Sequence, residues 1–102
     1  MAAIRWTLEA ELWLQDIFEY IAQDNPVAAA DVVSGIYDKA QILEVHPEIG
    51  HRYEAISERH IRILLYGHYR IAYLVKNSND IDILGVFHGA MQISRYLFPS
   101  ET

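Results

Sequence analysis

Apolar positions along this chain repeat first with a helical period and then with a strand period. Between about Leu8 and Gln23, the residues Ala10, Trp13, Leu14, Ile17 and Ile21 fall at i, i+3, i+4, i+7 and i+11, one face of a helix. Leu12, Phe18 and Tyr20 widen that face, which predicts more than one neighbour for this helix. Thr7 stands where an N-cap belongs, and Glu9 and Glu11 occupy the first turn, where the helix dipole favours negative charge. Asp24-Asn25-Pro26 stops this pattern and starts another: Asn25 suits an N-cap and Pro26 the first helical position. A second helix follows from about Pro26 to Glu44, with Ala29, Val33, Ile36, Ala40 and Leu43 at the alternating four-three spacing of a helix–helix seam. So short a connection predicts an antiparallel helical hairpin.

After the turn His46-Pro47-Glu48-Ile49-Gly50 the period changes. His51 to Glu58 reads as a polar loop with one irregular strand near Tyr53-Glu54. From Arg59 to Lys76 the chain is β-branched and aromatic, broken once at Gly67-His68, which reads as a hairpin of two strands. In the first strand Ile61, Ile63 and Leu65 share a face; in the second Ile71, Tyr73 and Val75 do. A two-residue loop would pair Leu65 with Arg70 and set that arginine among the isoleucines. A three-residue loop, Gly67-His68-Tyr69, keeps the apolar sets together and leaves Arg62 and Arg70 on the other face. Burying an unpaired arginine is costly, so the pattern favours the longer loop. A third strand is predicted over Ile81 to Phe87, with Ile81, Ile83, Gly85 and Phe87 on one face. A short strand at Ala3 to Trp6 opens the chain, and a last helix from Ala90 to about Phe98 precedes the tail Pro99 to Thr102.

The expected architecture is α+β, in the order β-α-α-β-β-β-α, with the helical hairpin packed on one face of a mainly antiparallel sheet. The other face carries Arg62, Arg70, His88, Tyr66, Leu64, Leu74, Leu84 and Val86, a mixed basic and apolar surface that either invites a partner or is covered by the C-terminal helix.

Composition sharpens this picture. At 102 residues the chain reads as one domain, residues 1–102. It has no cysteine, hence no disulfide framework and no thiolate metal site, and no cofactor or metal is expected. Its formal net charge of −6 argues against a general nucleic-acid binder. The charge is uneven: residues 1–50 carry two basic and nine acidic groups, net −7, whereas residues 51–102 carry six basic and five acidic groups, net +1, with four of the five histidines. An anionic partner is therefore expected to meet the second half. The N-terminus has neither a basic segment nor an apolar segment of the signal-peptide kind, and no apolar run approaches the ~20 residues of a membrane span, so a cytoplasmic protein without a membrane partner is expected.

Five stretches, WTLEAELWLQDIFEYI, NPVAAADVV, HPEIG, YRIAYLV and ILGVFHGAMQISRYL, stand in an order and spacing that resembles the RelE/ParE superfamily of toxins from bacterial type II toxin–antitoxin modules. The resemblance spans Ile4 to Leu97. It implies a plasmid-stabilisation-type, growth-inhibiting toxin held inactive by a cognate antitoxin, as a homodimer or as a heterotetramer with that antitoxin. Members of the superfamily differ in activity: RelE-like ones cut mRNA on the ribosome, and ParE-like ones inhibit DNA gyrase without a nuclease function. The ending is ParE-like, and the lysine-rich strand and C-terminal tyrosine of RelE have no counterpart. The resemblance therefore implies binding to DNA gyrase with no catalytic residue, and Arg59, Arg62, Arg70 and His88 as contacts to target or phosphate. The alternative is a RelE/YoeB-like ribosome-dependent mRNA endoribonuclease in which Glu48 (or Glu54), Arg70 and His88 share the roles of base, acid and cation, His88 as acid or base.

Overall fold

The described residues form two layers: a helical hairpin and a five-stranded mixed sheet. A computed structural model describes residues 2–54, 59–89 and 93. In chain order the elements are β1 (Ile4–Trp6), α1 (Leu8–Ala22), α2 (Pro26–Ala40), a 3-10 turn (Gln41–Glu44), β2 (His51–Arg52), β3 (Ile61–Tyr66), β4 (Tyr69–Val75) and β5 (Ile81–His88). The sheet order is β1-β5-β4-β3-β2, with β1 parallel to β5 and every other pair antiparallel. The expected last helix lies outside the described residues apart from Ile93, as does the tail.

Capping chemistry starts both helices where the pattern predicts. The Thr7 hydroxyl oxygen accepts from the Ala10 N–H at 3.1 Å and donates to the Ile83 carbonyl at 2.7 Å, so one side chain caps α1 and ties it to β5. The Asn25 side chain accepts from the Ala28 N–H at 3.0 Å, with Pro26 opening α2. Across the hairpin the Tyr37 hydroxyl donates to the Glu11 carboxylate, and burial together with that bond pushes the phenol up to about 12.

The hairpin register differs from expectation. Tyr66 pairs with Tyr69 and Leu65 with Arg70, so the loop is the two-residue Gly67-His68. Gly67 has φ +57°, as the first central residue of a II′ turn requires. Arg62 and Arg70 consequently lie on opposite faces of the sheet. The expectation failed because it assumed one buried face, whereas both are buried. Under the helices lie Leu64, Ile71, Tyr73, Val75, Ile81, Ile83 and Val86, packed with Ala10, Leu14, Ile36, Ala40 and Leu43. On the opposite face a smaller cluster joins Ile63, Ala72, Phe87 and Ile93, flanked by Tyr53 and Trp13.

A bulge in β5 accounts for the second departure. Ala72 pairs with Gly85 and Tyr73 with Ile83, which leaves Leu84 as an extra residue and reverses the alternation beyond it. Ile81, Ile83 and Val86 therefore face the helices, while Phe87 faces away from the side expected of it. The irregular strand expected near Tyr53-Glu54 forms two residues earlier, as β2.

The edge strand β1 is held from the outer face by charge. Arg5 donates from Nε and Nη2 to the two Asp82 carboxylate oxygens at 3.1 and 3.0 Å, and Lys76 Nζ stands 3.4 Å away. The Arg5 hydrogen bond, helped by Lys76 and opposed by burial, holds the Asp82 carboxyl below the usual range. A depressed carboxyl stabilises the fold above its ordinary pKa and loses that contribution as pH falls through the folded value. Asp82→Asn is accordingly expected to lower stability at neutral pH and to flatten the acid limb of a pH series of urea midpoints below about pH 4. An acid limb as steep as that of the unmodified protein would exclude Asp82 as its source.

Candidate interaction surface

The residues singled out in the sequence sort into two separate places. The first is the β2–β3 margin. Arg62 reaches across the strand end and donates from Nη1 to the Glu48 carbonyl at 3.0 Å and to the Gly50 carbonyl at 2.5 Å. Its Nε donates to His60 Nε2 at 2.9 Å. Arg62 thus clamps the 46–50 turn, and the buried Tyr73 hydroxyl grips the same turn by accepting from the Gly50 N–H at 2.9 Å. Directly across from Arg62 on β2 is Arg52, whose Nη2 donates to the Arg59 carbonyl at 3.3 Å. Like charges facing each other across a ladder are unfavourable, and these carbonyl acceptors offset that cost.

His60 completes this cluster. Burial, then the positive charges of Arg52 and Arg62, hold its pKa below the ordinary histidine value. The hydrogen bond agrees, since Nε2 accepts from a guanidinium only when the ring is neutral. Glu48, with a carboxylate oxygen 4.0 Å from the same nitrogen, pulls in the opposite direction and is outweighed. Sequence reading passed over Arg52 and His60; the basic runs His51-Arg52 and Arg59-His60-Ile61-Arg62 were their only signal.

The second place is the far end of the β4–β5 pair. Tyr69 and His88 are partners there, with rings meeting edge-on at 6.1 Å, and Arg70 Nη2 donates to the His88 carbonyl at 3.4 Å. His88 is exposed and lines a groove of about 430 Å³ with Trp13, Asp16, Ile17, Tyr20, Tyr69 and Val86. Arg70 points to the other face, beside Leu65, which is 55% exposed.

The fold brings Arg70 close to His88 but does not bring Glu48 to either. Glu48 is tied to Arg62, on the rung of Tyr73, and Tyr73 lies four positions along β4 from Tyr69, roughly 13 Å at the rise of a strand. Arg59 belongs with the β2–β3 margin. The single basic and apolar face expected from the sequence does not form, because Leu64, Tyr66 and Val86 pack toward the helices and the arginines diverge.

A family model described as the ParE toxin of the type II toxin–antitoxin system parDE matches residues 4–93. This chain belongs to the ParE toxin family. A curated relative, "Putative toxin Y4kP" of Sinorhizobium fredii, is 38% identical over 89 residues, covering 87% of this chain and 90% of its own length. A solved chain from the "Chromosomal ParDE TA system from P. aeruginosa" superposes with a TM-score of 0.71, covering 86% of this chain and 96% of that one; at 24% identity it speaks for the ParE fold alone. Among the described residues no helix of this ParE-family chain is long and apolar enough to cross a membrane.

Proposed function

We propose that this ParE-type toxin acts in the cytoplasm by binding a protein, with DNA gyrase as the target the family implies, and that a cognate antitoxin neutralises it in a plasmid-stabilising pair. The observation carrying the reading is the separation of Glu48 from Arg70 and His88. Cleavage of RNA without a metal requires a base, an acid and a cation converging on one phosphate, and these side chains diverge onto two margins and two faces. The net charge of −6 also opposes docking on ribosomal RNA, where affinity rests on neutralising phosphates with Lys and Arg.

The test is inducible expression without antitoxin, followed by primer extension on abundant mRNAs with plasmid supercoiling assayed in parallel. Intact mRNA with altered supercoiling or DNA breaks is the expected result. New cuts at codon boundaries that disappear in His88→Ala would overturn it and make Arg70 and His88 parts of a ribosome-dependent nuclease. Contacts to the target are proposed at Arg70 and His88, which share the exposed β4–β5 end. Arg59 and Arg62 would contribute through the margin they build.

A further inference from the structure

The Arg62 clamp depends on a group that can change charge. Arg62 Nε donates to His60 Nε2 at 2.9 Å, while Nη1 of the same guanidinium holds the Glu48 and Gly50 carbonyls. One planar group with a fixed fork therefore makes three bonds, two to the turn and one to a histidine, and losing the third frees the fork to rotate. The turn it holds carries Ile49, 51% exposed, on a groove of about 460 Å³ shared with Val45, His46, Pro47, Glu48 and Asn79. A conformational change at Arg62 would reach that surface directly.

We infer that His60 is a proton-operated latch, which when neutral accepts from Arg62 and holds the 46–50 turn, and when protonated leaves Arg62 for the Glu48 carboxylate and lets the turn open. Protonation places an N–H on Nε2, so two donors and two positive charges then face each other where one bond stood. Among the described residues the charged groups acting on the ring are Arg62 on β3, Arg52 on β2 and Glu48 on the turn; both arginines repel the imidazolium and Glu48 attracts it. The Glu48 oxygen is already 4.0 Å from Nε2, so a small side-chain movement makes the new pair. The direction follows from linkage. A histidine held below its ordinary pKa favours the fold in its neutral form, so the closed turn is fully supported above pH 6.5 and loses that support as pH falls through the lower folded value.

The latch is independent of which target the toxin binds. Its readout is hydrogen exchange at the Gly50 amide, whose N–H is bonded to the buried Tyr73 hydroxyl, with nitrogen-detected NMR of the His60 ring in the same samples. Protection, corrected for the intrinsic pH dependence of exchange, is expected to fall about tenfold between pH 7.5 and pH 5 as the ring becomes protonated. His60→Gln keeps an acceptor without a titrating proton and is expected to hold Gly50 equally well at both pH values. Glu48→Gln keeps the backbone carbonyl that Arg62 binds but removes the charge that receives the imidazolium, so opening is expected to need a lower pH. Constant protection in the unmodified protein, an equal fall in His60→Gln, or a proton on Nε2 at neutral pH would each overturn the proposal.

Discussion

Gly50→Ala is expected to destabilise the fold by about 3 kcal/mol, combining the ~1–3 kcal/mol of an overpacked site with the similar cost of leaving a buried hydroxyl and amide unpaired. A Cβ on Gly50 would stand 2.7 Å from the Ile63 carbonyl oxygen and 2.8 Å from the Tyr73 hydroxyl. Neither neighbour can retreat. The first is backbone in β3, and the second belongs to a side chain with 0% exposure packed among the helices. The expected readout is a melting temperature lower by roughly 12 °C or more, since each kcal/mol moves a domain of this size by about 4–8 °C. Gly89→Ala is the control. There the added carbon meets only the His68 carbonyl oxygen, at the ordinary contact distance of 3.5 Å. Equal losses for the two variants would show that the grip on the 46–50 turn contributes nothing special.

Phe87→Ala is expected to cost about 3–5 kcal/mol, the range for removing a buried aromatic side chain. Phe87 is 1% exposed, lies on the sheet face opposite the helices, and meets Trp13 of α1 edge-on at 4.9 Å. Its ring occupies the space over Gly85, where a Cβ would come within 2.5 Å of it. That geometry supplies a sharper test than the single loss. Gly85→Ala is expected to destabilise the unmodified protein, yet to be nearly neutral or favourable once Phe87→Ala has opened the space. Two mutations in contact are then coupled with opposite sign, and urea titration of the four proteins measures the coupling. Simple additivity would mean that the ring does not sit over the glycine.

Much of the fold could be read from local chemistry. Thr7, Asn25 and Pro26 mark both helix starts, and Ala10, Leu14, Ile36 and Ala40 are buried as their spacing predicts. The face assignments could not be read in the same way. Alternation reports an inside and an outside only when one side of a sheet is wet, and here Ile63, Ala72 and Phe87 are as buried as Ile71 and Tyr73. Two signals were nevertheless present. Glycine first in Gly67-His68 is the pattern of a two-residue II′ loop, and the isolated Gly85 inside an apolar strand is a bulge marker. Given weight over the cost of burying Arg70, they restore the register. The site was harder still. Arg62 reads as a surface cation because carbonyl acceptors such as those of Glu48 and Gly50 are invisible in a sequence, and the part played by His60 follows only from where Arg62 points.

The parallel pairing of β1 with β5 has a consequence for how this chain comes into being. Ile4 pairs with Ile81 and Trp6 with Ile83, so among the described strands β1 is an edge whose neighbour, β5, is made after all the others. During translation the helical hairpin can form from local contacts, while Ile4 and Trp6 wait for β5. Closing so long a loop adds little to the equilibrium cost but delays the step, because ordering must come before the contacts that reward it. Until β5 emerges, β1 has no described strand to pair with, so this parallel pairing is expected to form after the β3–β4 hairpin.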